Sequence, residues 1–171
     1  RTAACGFRLP DPGCVMSEDK LPSRWLVSTD WLSQHLDDPN VVVLDGSFYR
    51  PALKRDAEAE FLAAHVPGAA RFDIDAIADH SSSLPHMLPS AAQLSRDVGG
   101  LGIGSSDTVV VYDGAGLGGA PRVWWTFRIF GARQVFILDG GLPKWRAEGR
   151  PIEAGPVVRA PRRFEATFDA G

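Results

Sequence analysis

Two hydrophobic rhythms take turns along this chain. Short uninterrupted apolar runs, VVVLD (41–45), DTVVVYD (107–113) and RQVFILD (133–139), have the length and β-branched content of strands covered on both faces. Between them lie segments whose apolar residues recur at helical spacing. In DWLSQHL (30–36) Trp31, Leu32 and Leu36 share one face, with Ser28 or Thr29 placed to cap the first turn. RDAEAEFLAAH (55–65) is rich in good helix formers, and Ser90 precedes AAQLSRDVGGLG, a short helix expected to stop at Gly99 and Gly100. PRVWWTFRIFG (121–131) predicts a helix with proline in its first turn and Gly131 as its stop; LPKWRAEG (142–149) predicts one closed by Gly149. Two shorter strand candidates complete the series, WLVS (25–28) and the piece after the turn in VPGAARFDID (66–75). Residues 76–89, with three consecutive serines and two prolines, read as loop.

Strand and helix thus alternate five times, which predicts an α/β domain: a five-stranded, mainly parallel sheet flanked by helices on both faces, with right-handed crossovers. The 171 residues suffice for one such domain. We place it at 23–154, after a leader over 1–22 in which Met16 reads as a natural start. Residues 155–171 read as the start of a linker. There Phe164, Ala166 and Phe168 alternate on one side of an extended segment, and Arg159, Arg162 and Arg163 form a solvated basic cluster.

A net charge of −3 argues against an extended nucleic-acid footprint, so Trp124, Trp125, Phe127 and Phe130 are read as core or inter-domain contact, not as a stacking platform. Trp145 is expected to pack the last helix, and His35, His65 and His80 to lie at the surface or cap helices. No apolar run approaches the roughly 20 residues of a membrane span. The two cysteines, Cys5 and Cys14, both fall in the leader, at a spacing that suits neither a zinc site nor a disulfide framework. A cytoplasmic location with no metal or organic cofactor is the expectation.

The candidate chemistry sits in YDGAGLGGAPR (112–122). Gly114, Gly116 and Gly119 match G-x-G-x-x-G, and Asp139 lies twenty residues further on, as in a dinucleotide fingerprint. That fingerprint belongs to the first strand of a two-half domain, whereas here folded-looking sequence precedes it and about fifty residues follow. Pro121 also removes a helix-start N–H. What remains is a strand-to-helix loop at the carboxyl edge of a parallel sheet, where α/β domains place ligands.

Taken in order, HVPGAARFDID, HMLPS and VVVYDGAGLGGAPRVWWTFRIFGARQVFILDGGLPKW resemble the N-terminal half of the tandem-rhodanese sulfurtransferases, the thiosulfate and 3-mercaptopyruvate enzymes. The resemblance covers about residues 24–170. It implies a rhodanese fold, and a nucleophilic cysteine carried by a C-terminal rhodanese domain beyond this chain. That cysteine heads the loop after the central strand, where backbone N–H groups and a helix N-terminus favour a thiolate and then a persulfide. Here the matching position is Asp113, which neither attacks sulfur nor holds it, and from residue 16 onward the chain has no cysteine. The chain alone is therefore expected to be inactive, with Asp113 taking hydrogen bonds from its loop.

The resemblance also implies an auxiliary catalytic pair. His86 in HMLP and Asp75, eleven positions earlier in FDID, match a histidine and an aspartate of the mercaptopyruvate branch. In the thiosulfate branch the histidine position is typically apolar. The family pair reaches across the domain interface toward a serine of the catalytic loop, the aspartate orienting an imidazole that moves a proton near the donor thiol. The implied partners are the second domain, a small-molecule sulfur donor and a thiol or thioredoxin-like acceptor, with no nucleic acid and no membrane. An inter-domain face left bare would favour self-association. The rival reading is a stand-alone inactive rhodanese domain acting as a protein-binding or regulatory module.

Overall fold

The structure, a computed structural model, describes residues 23–169. Cys5, Cys14 and the leader lie outside the described residues. Strands β1 (Leu26–Val27), β2 (Val41–Asp45), β3 (Ala70–Arg71), β4 (Thr108–Tyr112) and β5 (Val135–Leu138) form one sheet in the order β1-β5-β4-β2-β3. Every pairing is parallel, so the sheet is wholly and not just mainly parallel. Helices α1 (Thr29–His35), α2 (Ala57–Ala63), α3 (Ala91–Gly100) and α4 (Ala120–Ile129) make the connections, and α5 (Gly141–Ala147) follows the last strand. A single 3-10 turn at Pro51–Leu53, which the hydrophobic pattern does not announce, leads into α2.

The uninterrupted apolar runs have a direct cause. Alternate residues of each central strand enter two different cores. Val42, Leu44, Val109, Val111, Val135 and Ile137 face α3 and α4, meeting Leu94, Val98, Val123 and Phe127. Val43, Val110, Tyr112, Phe136 and Leu138 face α1, α2 and α5, meeting Leu32, Phe61 and Trp145. Both edge strands are two residues long, which leaves little unpaired backbone.

Helix starts follow their caps. Ser28 accepts from the Trp31 N–H and Ser90 from that of Gln93. Asp56 accepts from the N–H groups of Glu58 and Ala59, so α2 begins at Ala57 and not at residue 55. Two of the three lesser histidines close helices, within the expectation: His35 and His65 place Nδ1 2.7 and 2.8 Å from the carbonyls of Trp31 and Phe61, one turn back. His65 departs from expectation in being fully buried, stacked on Phe61. Trp145 is buried as expected, its indole N–H donating to the Pro151 carbonyl.

The segment 156–169 lies along the domain in extended form, hydrogen-bonded at intervals to what it crosses. Arg162 N–H donates to the Gly99 carbonyl, Ala166 N–H to Ser95 Oγ and Thr167 N–H to the Phe130 carbonyl. Phe164 enters the core against Phe127, whereas Phe168 stays half exposed beside Phe130. Arg162 is not a solvated cation: its guanidinium lies 2.7 Å from the buried carboxylate of Asp107, which otherwise holds only the Gly104 N–H. A charge-and-composition reading misses this because the partner is 55 residues away.

Phe164→Ala is expected to remove about 3 kcal/mol of stability, as for other buried aromatics, and Phe168→Ala less than about 1 kcal/mol. Urea unfolding of the two variants checks the difference.

Candidate active site

β4 delivers the chain to the carboxyl edge of the sheet at Tyr112, and Asp113 is the first residue of the loop. Its side chain is buried and turned back under that loop. Oδ1 accepts from the Ala115 N–H at 2.9 Å, and Oδ2 accepts from Gly118 at 2.7 Å and from Ala120 at 2.9 Å. Ala120 is the first residue of α4, whose N-cap, Gly119, has no side chain to offer. Asp113 therefore caps α4 from seven residues away, placing a carboxylate at the positive end of the helix.

This geometry disposes of the dinucleotide fingerprint. The loop N–H groups that would grip a pyrophosphate point inward at a carboxylate the chain supplies itself. The glycines have other work. Gly116 takes φ +100°, and a Cβ at Gly119 would collide with the Gly46 carbonyl. Asp139 pairs with Lys144 at the end of β5.

Around the loop the edge is tied together by polar contacts. Ser47 Oγ accepts from the Gly114 N–H, and the Asp113 carbonyl accepts from Leu142, at the start of α5. A cleft of about 400 Å3 opens beside Gly114, lined by Ser47, Tyr49, Arg55, Glu60, Arg146 and the end of β2. Arg55 donates through Nε and Nη2 to the two oxygens of Glu60 and lies over the Tyr49 ring. Arg55 holds the Glu60 carboxyl below its usual range, while burial and Glu60 push Tyr49 up to about 12. The motif reading passed over this cluster; Arg55 and Glu60 sit five residues apart across the start of α2, a spacing that gives the only sequence hint.

Deeper in, Asp45 ends β2 opposite Tyr112. Burial raises its carboxyl pKa, against the opposing pull of Ser47, Tyr112 and Arg71.

The second predicted element is the pair Asp75 and His86, which the structure brings together. Asp73 accepts from the N–H groups of Asp75 and Ala76 and pairs with Arg71, fixing the turn that presents Asp75. Burial works against ionisation of Asp73, but the Ala76 N–H and the Arg71 charge outweigh it and lower its pKa. His86 Nδ1 lies 2.8 Å from Asp75 Oδ1, although the oxygen stands off the ring N–H axis, so the contact is not an aligned hydrogen bond. The imidazole meets Phe48 edge-on at 5.0 Å, and its backbone is left-handed, φ +57°. The Asp75 side chain is 65% exposed and that of His86 37%, so the pair remains open to a second body.

A wholly parallel α/β sheet with an anion-holding strand-to-helix loop at its carboxyl edge defines a class, and within it the chain belongs to the family of rhodanese-like domains, whose model matches residues 28–148. It is 48% identical over 148 residues to a thiosulfate/3-mercaptopyruvate sulfurtransferase 1 of Arabidopsis thaliana, described as mitochondrial, covering 86% of this chain and 39% of that protein. To the 3-mercaptopyruvate sulfurtransferase of Rattus norvegicus it is 45% identical over 152 residues, or 85% of this chain and 51% of that one. The crystal structure of the 3-mercaptopyruvate sulfotransferase SseA from Escherichia coli superposes with a TM-score of 0.82 at 39% identity, covering 86% of this chain and 57% of that chain. This chain thus spans about half the length of the curated relatives it matches. Among the described residues, no helix is long and apolar enough to cross a membrane.

Two outcomes are expected. Asp113→Ala leaves three loop N–H groups without their acceptor and is expected to cost about 3 kcal/mol, Asp113→Asn roughly half of that, as read by urea unfolding. For Asp45 the folded pKa is raised, so the native state holds its proton longer than the unfolded chain. Its contribution to stability is present below the unfolded value of about 4 and is lost as pH rises through the folded value. Asp45→Asn removes that loss, and its melting temperature relative to the parent is expected to climb from acid to neutral pH.

Proposed function

We propose that this chain is the N-terminal, nucleophile-free half of a sulfurtransferase that takes sulfur from 3-mercaptopyruvate, or from thiosulfate, and passes it to a thiol, a thioredoxin-like protein or cyanide. The carrying observation is Asp113. A buried aspartate fills the N–H cradle at the loop position where the family's catalytic copies hold cysteine, and residues 23–169 contain no cysteine at all. The identity to relatives of twice this length supports the same reading.

In the reaction, a cysteine thiolate of the second domain attacks the sulfur of 3-mercaptopyruvate. The carbon–sulfur bond breaks, the electron pair leaves on carbon as the enolate of pyruvate, and a proton converts it to pyruvate. The sulfur stays on the cysteine as a persulfide until an acceptor thiol takes it. His86, with the Asp75 carboxylate beside its ring, moves the proton at the donor. No metal or organic cofactor enters this scheme.

Exposed apolar side chains support a docked domain. Met87 beside His86, Leu117 in the Asp113 loop and Trp125 on α4 are large apolar side chains left 40% exposed or more. Residues 23–154 form the domain in this reading, and 155–171 lead toward the second one. A stand-alone binding module would have no use for Asp75 and His86 in this arrangement.

The test is sulfur transfer from 3-mercaptopyruvate and from thiosulfate by the purified chain, beside a Cys5→Ala/Cys14→Ala variant. Neither is expected to turn over either donor. Activity in the chain that the double variant abolishes would put the nucleophile in the leader and overturn the proposal.

A further inference from the structure

We infer that Arg122 is the positioning residue of His86, clamping its backbone so that the imidazole is delivered to Asp75. The inference rests on the proton role proposed for that pair. Arg122 is the third residue of α4, the helix whose first N–H is held by Asp113. Its Nη2 donates to the main-chain carbonyl of His86, 36 residues earlier in sequence. The guanidinium is itself held in place, with its carbon 5.0 Å from the centroid of the Trp125 ring, one turn on.

The need for a clamp follows from the backbone. Among the described residues only Lys54 and His86 are non-glycine positions with positive φ. Lys54 closes the 3-10 turn through a local hydrogen bond from its N–H to the Pro51 carbonyl. His86 has no such local bond: its carbonyl is held from α4. A histidine in this conformation is held by its surroundings, because a residue with Cβ relaxes to negative φ when released. That relaxation turns Cα–Cβ and carries the ring away from Phe48 and from Asp75 Oδ1, now 2.8 Å from Nδ1. Since α4 also bears the Asp113 cap, one helix start fixes both the vacant nucleophile loop and the histidine. The guanidinium has a specific role here: it donates to a carbonyl while its carbon stands over an indole ring, a combination Lys reproduces only in its first part.

The readout is the tautomer of His86, from the 15N shifts of its neutral ring in the full chain. A carboxylate beside Nδ1 holds the proton there, whereas a free neutral imidazole prefers it on Nε2. The parent is expected to show mainly Nδ1–H. Arg122→Gln is expected to cut that share at least two-fold while His35, His65 and His80 keep their shifts, and Arg122→Lys to restore it in part. An unchanged His86 in folded Arg122→Gln overturns the inference. Should that variant fail to fold, Trp125→Leu at an exposed position decides: a reduced Nδ1–H share supports the clamp, an unchanged one overturns it. Asp75→Asn separates the two readings. If it leaves the tautomer as in the parent, the Asp75–His86 pairing fails; if it shifts the tautomer and Arg122→Gln does not, only the clamp fails.

Discussion

One carboxylate holds the carboxyl edge of this sheet together. Asp113 takes three backbone N–H groups from a loop that has no side chains of its own to spend on them, and with the last of these it fixes where α4 begins. Its carbonyl in turn receives the start of α5. Glycine makes the loop possible, by permitting the turn at Gly116 and the close approach of Gly119 to Gly46. Glycine also leaves it without rigidity, since each such residue adds freedom that the folded state must lose. A fixed internal anion supplies the order. Burying a charge is costly unless it is fully hydrogen-bonded, and here the hydrogen bonds come from groups that would otherwise be unsatisfied. The two liabilities cancel.

The same arrangement lets the loop stay ordered with a carboxylate at its centre. An aspartate is of suitable size and sign to occupy the cradle permanently. The exposed pair Asp75 and His86 has Phe48 against the imidazole, Asp73 in the turn that presents Asp75 and Arg122 on the His86 carbonyl.

Much of this was legible in the residues. Apolar runs located β2, β4 and β5 because both faces of each are covered, and caps at Ser28 and Ser90 placed α1 and α3 because hydroxyl capping is local. The Asp113 loop and the Asp75–His86 pairing followed from ordered motifs. What stayed hidden was held by partners distant in sequence: Arg122 on the His86 carbonyl, Arg162 on Asp107, Ser47 on Gly114. The burial of His65 escaped for a related reason, since its one-turn spacing from Phe61 shows only the capping contact and not the layer that closes over it. The dinucleotide spacing, set aside on its sequence context, records where glycines stand and not which way their N–H groups face.

The extended segment carrying Phe164 gives the chain an order of assembly. The core between the sheet and α3 and α4 contains a side chain from beyond the last helix, stitched down by bonds to Gly99, Ser95 and Phe130. During synthesis that residue emerges from the ribosome after every strand and helix of the domain. Until it does, the groove it fills stays open and wet. The core is therefore completed only when the segment 156–169 has been laid along its side.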